Sequence, residues 1–182
     1  TISNKPTVAA KHRTSVVVIG YGNDMRCDDA VGIHTAQTIA EWNLPDVQVI
    51  TVQQLTPELA ERLTQARLAI FIDAYQLPDK LANLREETLV HTHMLTPDDP
   101  SYTPSSLEHT GDPRYLLALT QAIYGCVPPA YWVMIPARHV DFGQDMSSLT
   151  RNGMVTALQL IYNLIVTTRR YNDNDNDDNS TN

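Results

Sequence analysis

Two adjacent carboxylates, Asp28 and Asp29, follow a glycine turn in the stretch Ser15-Val-Val-Val-Ile-Gly-Tyr-Gly-Asn-Asp-Met-Arg-Cys-Asp-Asp-Ala-Val-Gly32. Acids so placed could hold a hard or borderline cation, or a cationic group. A dinucleotide site would need G-x-G-x-x-G, and Met25 occupies the third glycine position. Acids at a helix start also repel the phosphate that such a site binds. Asp28 alone reads as an N-cap, which leaves Asp29 unexplained. Asp73 closes the apolar run Leu68-Ala-Ile-Phe-Ile72, where a carboxylate is costly unless paired or bound to a cation. Its plain alternative is a helix cap or a turn residue.

His109 is the third candidate. It sits near the end of a Pro/Asp/Ser-rich loop from Thr96 to Thr110, longer than compact domains keep without a functional reason. An ordinary loop histidine is the alternative. Two carboxylates and an imidazole make an N/O set with open positions, suited to Ni, Zn or Fe. His91-Thr92-His93 puts two rings on one face of a strand, which permits metal but also describes an exposed strand face. Cys27, beside the acids, could be a soft ligand, a redox thiol or a small buried side chain. There is no H-E-x-x-H, no G-x-S-x-G elbow and no Walker A loop.

The elements that must position these groups alternate. A strand over Ser15 to Gly20 leads to a helix from Asp28 to Trp42, with Val31, Thr35, Thr38, Ile39 and Trp42 at helical spacing. Val47 to Val52 reads as a second strand, and Thr56-Pro57 opens a helix with Leu59, Leu63 and Ala66 on its face. Arg67 to Ala74 is a strand covered on both faces, ending at Asp73. Thr88 to Leu95 is a strand, Asp112-Pro113 caps a helix closed by Gly125, and Tyr131 to Pro136 is another strand. Ser147 to Arg170 is a terminal helix with Met154, Leu158, Ile161 and Ile165 on one face. Alternating β and α predict a doubly wound sheet with helices on both sides. Asp29 and Asp73 would then share its carboxyl edge, where such sheets bind ligands.

The chain has 182 residues, 42% of them hydrophobic, enough for one domain with a full core. Residues 1–14 read as a loose segment, 15–170 as the folded domain, and 171–182 as a solvated acidic, Asn-rich tail too poor in apolar residues to fold. Acids alternate in that tail as in a calcium loop, but the glycine of that motif is missing. Arg169-Arg170 reads as favourable charge on a helix C-terminus. The net charge of -8 and the lack of a basic stripe argue against nucleic acid. Two cysteines without a C-x-x-C spacing, no signal-peptide pattern and no membrane-length apolar run point to the cytoplasm.

Taken together, Gly20-Tyr-Gly-Asn23, Asp28-Asp29, Gly32, Ile70-Phe-Ile-Asp73-Ala74 and His109 resemble the hydrogenase maturation proteases over about Ser15 to Thr167. These endopeptidases trim the C-terminus of a nickel-iron hydrogenase large subunit. The resemblance implies a three-layer α/β/α sandwich with a twisted, mainly parallel sheet in one domain. It implies Asp29, Asp73 and His109 as both metal-binding and catalytic residues of an aspartyl-type endopeptidase. The nickel would be carried by the precursor, the expected partner, and the protease itself is expected to be a monomer. Two departures stand out. Asp29 replaces a frequent Glu, one methylene longer, and Gln53-Gln54-Leu55-Thr56 stands where relatives often carry Gly-Gly-Thr after the second strand. The Leu-Thr-Pro-Glu-Leu and His-Thr-Gly-Asp-Pro segments resemble the cyanobacterial bidirectional-hydrogenase branch. Two other functions fit the same residues: a non-catalytic, metal-dependent checkpoint for the precursor, and a small-molecule hydrolase with a resident metal.

Overall fold

In the computed structural model of the chain, residues 16–78, 89–96, 111–139, 141–143 and 145–178 are described, with side chains as far as residue 170. Five strands, β1 (Val16–Tyr21), β2 (Val47–Val52), β3 (Leu68–Gln76), β4 (His91–Leu95) and β5 (Ala130–Ala137), form one sheet in the order β2-β1-β3-β5-β4. The pairs β1–β2, β1–β3 and β3–β5 are parallel, while β4 runs antiparallel to β5 at the edge. The sequence had predicted a mainly parallel α/β sheet, and the structure has one.

Alternation along each strand divides the core into two layers. On one face, Val16, Val18, Ile70, Ile72, Val133 and Ile135 pack against α1 (Val31–Glu41) and α4 (Ser148–Asp178) through Ala36, Ile39, Ala157, Ile161 and Ile165. On the other, Val17, Ile19, Tyr21, Ala69 and Phe71 meet α2 (Ala60–Leu63) and α3 (Pro113–Tyr124) through Leu63, Leu116 and Leu117. Every residue of β1 is buried, as its unbroken apolar run requires of a central strand. Among the described residues no helix is long and apolar enough to cross a membrane.

Several boundaries depart from the sequence reading. The helix expected from Asp28 begins as a 3-10 turn, Cys27–Ala30, and becomes α-helical only at Val31. The helix after Thr56-Pro57 likewise opens with a 3-10 turn, Pro57–Leu59, and α2 is a single turn. Strand β3 continues past Asp73 to Gln76, because β5 goes on pairing with it after β1 has ended. Helix α4 runs to Asp178, into the segment that composition assigned to a solvated tail. Extending an existing helix adds a hydrogen bond per residue without a new nucleus. Arg169 is therefore not at a helix end, and its Nε instead donates to Asp46 Oδ2 ahead of β2 at 3.0 Å. The expected loose N-terminal segment lies outside the described residues.

The glycines set how closely α1 approaches the sheet. A Cβ on Gly20 would stand 2.2 Å from the Gly32 carbonyl oxygen, and one on Gly32 would stand 2.3 Å from Tyr21 O and 2.5 Å from Ile72 O. The start of α1 therefore lies directly on the carboxyl end of β1 and the middle of β3. Replacing Gly32 by Ala forces backbone apart rather than a flexible side chain. Gly32→Ala is expected to destabilise the fold by about 3 kcal/mol, measured as a lower midpoint in urea with an unchanged slope.

Candidate functional site

Chain direction brings the two carboxylates together. β1 ends at Tyr21, and the chain turns at Gly22, whose φ of +138° is a conformation L side chains rarely adopt. A Cβ there would lie 2.1 Å from the Asp29 carbonyl oxygen, so the turn folds back onto the 3-10 segment that carries both acids. The Asn23 N–H donates to Asp29 Oδ2 at 3.1 Å, and Asn23 Oδ1 accepts from Met25 N–H at 2.9 Å. The Asp29 main chain thus fills the space against Gly22 that a bound pyrophosphate would need.

Asp28 is not the N-cap that the sequence suggested. Its fully buried carboxylate accepts from the Arg138, His139 and Ser147 N–H groups at 2.8, 2.9 and 2.7 Å, and from Ser147 Oγ at 2.9 Å. Burial works to raise its pKa, but the N–H donors of His139, Ser147 and Arg138 and the Ser147 hydroxyl outweigh it and hold the carboxyl below the usual range. Ser147 is itself the cap of α4, receiving Thr150 N–H at 3.2 Å. One carboxylate thereby ties the turn after β1, the loop after β5 and the start of α4.

Cys27 shares this structural role. It is a free, half-buried thiol whose N–H donates to Gly143 O at 2.9 Å. The neighbouring Arg26 guanidinium lies 4.9 Å from the centre of the exposed Phe142 ring.

Asp73 has the opposite surroundings to Asp28. It lies one residue past the last β1–β3 pair, Gly20↔Ile72, and on the face that carries Tyr21 and Phe71. Its one hydrogen bond among the described residues comes from the adjacent Ala74 N–H, 2.8 Å from Oδ1. Burial pushes its pKa up to about 7, the Ala74 N–H and the Tyr21 hydroxyl oppose the rise, and the Asp29 charge adds to it. Asp29 and Asp73 are therefore within electrostatic reach of each other at the carboxyl edge. His109, the third predicted member, lies outside the described residues. No group of three or more His, Cys, Asp or Glu side chains able to hold a metal forms among the described residues.

The sequence reading missed the wall of this site. Tyr21 is 3% exposed, and its hydroxyl, like the buried Nε1 of Trp132, makes no hydrogen bond with a described residue. Burial, then the Asp73 and Asp112 carboxylates, push the Tyr21 pKa well above its ordinary value, so the phenol stays neutral. Asp112 caps α3, accepting from Arg114 N–H at 2.8 Å, and pairs with the Arg114 guanidinium at 2.6 Å. The only signal for Tyr21 was a large polar aromatic between two glycines. Nothing in the sequence placed Trp132 or Asp112 near it. Beside the turn, Asn23, Val52, Gln53, Gln54 and Thr56 line a groove of about 470 Å³.

No family model matches this sequence, and no curated protein does. Solved structures do match. The maturation protease HybD of Thermococcus kodakarensis superposes with a TM-score of 0.65 at 21% identity, over 82% of this chain and 98% of that one. The E. coli hydrogenase maturating endopeptidase HybD gives 0.67 at 14% identity, over 85% and 93%. The fold is that of the hydrogenase maturation proteases. A hydrogenase 2 maturation peptidase from a Thaumarchaeota archaeon gives 0.57 at 19% identity, over 83% and 97%. The three-layer sandwich expected from the resemblance is therefore the observed one, with near-complete coverage of those chains.

Two outcomes follow from the contrast between the carboxylates. Asp28→Asn leaves N–H donors facing an amide and is expected to cost about 3 kcal/mol at pH 7. A depressed pKa gives stability above the unfolded value that is lost as pH falls through the folded one. The loss on Asp28→Asn, read from thermal melts, should therefore shrink below about pH 4. Asp73 behaves in reverse: its raised pKa means stability declines as pH rises from the unfolded value to about 7. Asp73→Asn is expected to raise the melting temperature more at pH 8 than at pH 4.

Proposed function

We propose that this chain is an endopeptidase that removes the C-terminal extension of a nickel-loaded nickel-iron hydrogenase large-subunit precursor. The observation that supports the reading best is the electrostatic coupling of Asp29 and Asp73 beside the carboxyl end of β1 in a chain of this fold. Two carboxylates with little hydrogen bonding of their own suit a cation brought by a partner. His109 completes the set in this reading. It lies three residues before Asp112, a span of at most about 10 Å, and the Asp112 charge reaches Tyr21 in the wall of the site.

The precursor's nickel is then the recognition element, ligated by Asp29, Asp73 and His109, and it polarises the scissile carbonyl or a water. In this reading an aspartate of the site serves as the base. The groove lined by Asn23, Gln53, Gln54 and Thr56 supports a seat for the precursor segment beside the cut. The Leu55-Thr-Pro-Glu-Leu59 and His109-Thr-Gly-Asp-Pro113 segments support a substrate of the bidirectional-hydrogenase type. Cys27 and Cys126, both free, fit a protein working as a monomer in the reducing cytoplasm.

The test mixes the protein with nickel-loaded and nickel-free precursor and follows the large subunit by mass. Shortening of the loaded form alone is the expected result. Asp29→Asn, Asp73→Asn and His109→Ala should each lower the cleavage rate at least about a hundredfold while the chain stays folded. Binding of the loaded precursor without shortening would instead favour the checkpoint. Hydrolysis of small substrates by a tightly held resident metal would favour the metallohydrolase.

A further inference from the structure

We propose that His91 and His93 form a second metal site, a two-imidazole chelate on the last strand of the sheet that takes a divalent transition-metal ion such as Ni2+ or Zn2+. Strand β4 is the last in the sheet order and pairs with β5 alone among the described residues. Alternation puts the two imidazoles on one face, and their ring centres lie 6.2 Å apart at an interplanar angle of 28°. His93 is exposed and His91 half-buried, so an ion can reach both.

The site is partly built. The Tyr75 ring centre lies 5.1 Å from that of His91, and the Tyr75 hydroxyl is itself fixed by donating to Leu89 O at 2.6 Å. Neither imidazole makes a hydrogen bond with a described residue, so no ring nitrogen is committed among them. The strand already holds both Cα atoms, and the second imidazole therefore binds as an intramolecular ligand. Paired imidazoles select Ni, Zn or Cu and discriminate against Mg and Ca, which prefer oxygen.

Register relates this pair to the two carboxylates without merging them. Asp73 pairs with Met134, and Met134 pairs with His91, so the three lie in one row across β3, β5 and β4. Two strand spacings separate Asp73 from His91, roughly 10 Å, with the Met134 side chain between. The test therefore removes Asp29 and Asp73 as ligands before the histidine pair is titrated.

The test uses untagged full-length chain carrying Asp29→Asn, Asp73→Asn and His109→Ala, titrated with Ni2+ alone. Binding of one ion is expected, and adding His91→Ala or His93→Ala should weaken it about tenfold or more. In the same background, paramagnetic Ni2+ should broaden the imidazole signals of His91 and His93 before those of His34 and His139. An affinity unchanged by either alanine, or broadening that begins at another histidine, overturns the proposal. Because the background lacks the first set of ligands, the result is independent of whether the chain cuts a hydrogenase precursor.

Discussion

The carboxylate of Asp28 accepts four hydrogen bonds from donors 110 to 119 positions further along the chain, and the carboxyl edge of the sheet depends on them. Loops at the ends of parallel strands have no ladder of their own to fix them. Here a single buried anion supplies the acceptors for three backbone N–H groups that would otherwise be unsatisfied. Those donors come from the loop after β5 and the cap of α4, so the turn after β1 is locked to both. Charge-assisted bonds of this length are roughly twice as strong as neutral ones, and removing the anion exposes every donor at once. Asp29 inherits its position from this knot, since it is the next residue of the same 3-10 turn.

Three aspartates at one edge show how environment, and not residue type, assigns roles. Asp28 is satisfied on every side and stays ionised. Asp29 accepts one described hydrogen bond, from Asn23 N–H, and is half-exposed. Asp73 is largely buried, accepts from its own neighbour Ala74, and faces the charge of Asp29. The first holds the scaffold, and the other two carry unmet demand for positive charge. Neutral Tyr21 cannot meet that demand, because a phenol offers one donor and no charge.

Much of the fold was legible because the strands announce themselves. Val16 to Ile19 and Leu68 to Ile72 are apolar throughout, as strands covered on both faces must be, and Asp112-Pro113 with Gly125 mark both ends of α3. The boundaries that failed did so for tertiary reasons. Asp73 looked terminal because an acid interrupts an apolar run, yet β5 continues to pair beyond it. Composition read the tail from its own residues, while α4 extends from a nucleus already packed through Ala157, Ile161 and Ile165. The electrostatic reach between Asp29 and Asp73 was legible from topology, because β1 and β3 run parallel and Asp73 lies one residue past their last pair. Asp28 was misread because its partners are remote: nothing in Arg138, His139 or Ser147 signals an acceptor more than a hundred residues away. The same limit hid Tyr21, Trp132 and Asp112, which meet only through the sheet register and the docking of α3.

The two-carboxylate corner also runs against stability, which bears on what it is for. A carboxyl raised to about 7 by burial and by a like charge is an unfavourable element of the folded state at neutral pH. An Asn or an apolar residue at position 73 would relieve the repulsion, so the arrangement is not one that folding alone selects. Such costs concentrate at sites where a ligand supplies the missing interaction. The proposed function supplies one, because a cation reverses the sign of the Asp29–Asp73 interaction from repulsion to a shared attraction. The close packing at Gly20, Gly22 and Gly32 fixes where the turn and α1 meet the strands, and in the proposed function a corner already ordered by folding takes an incoming cation without a further ordering cost.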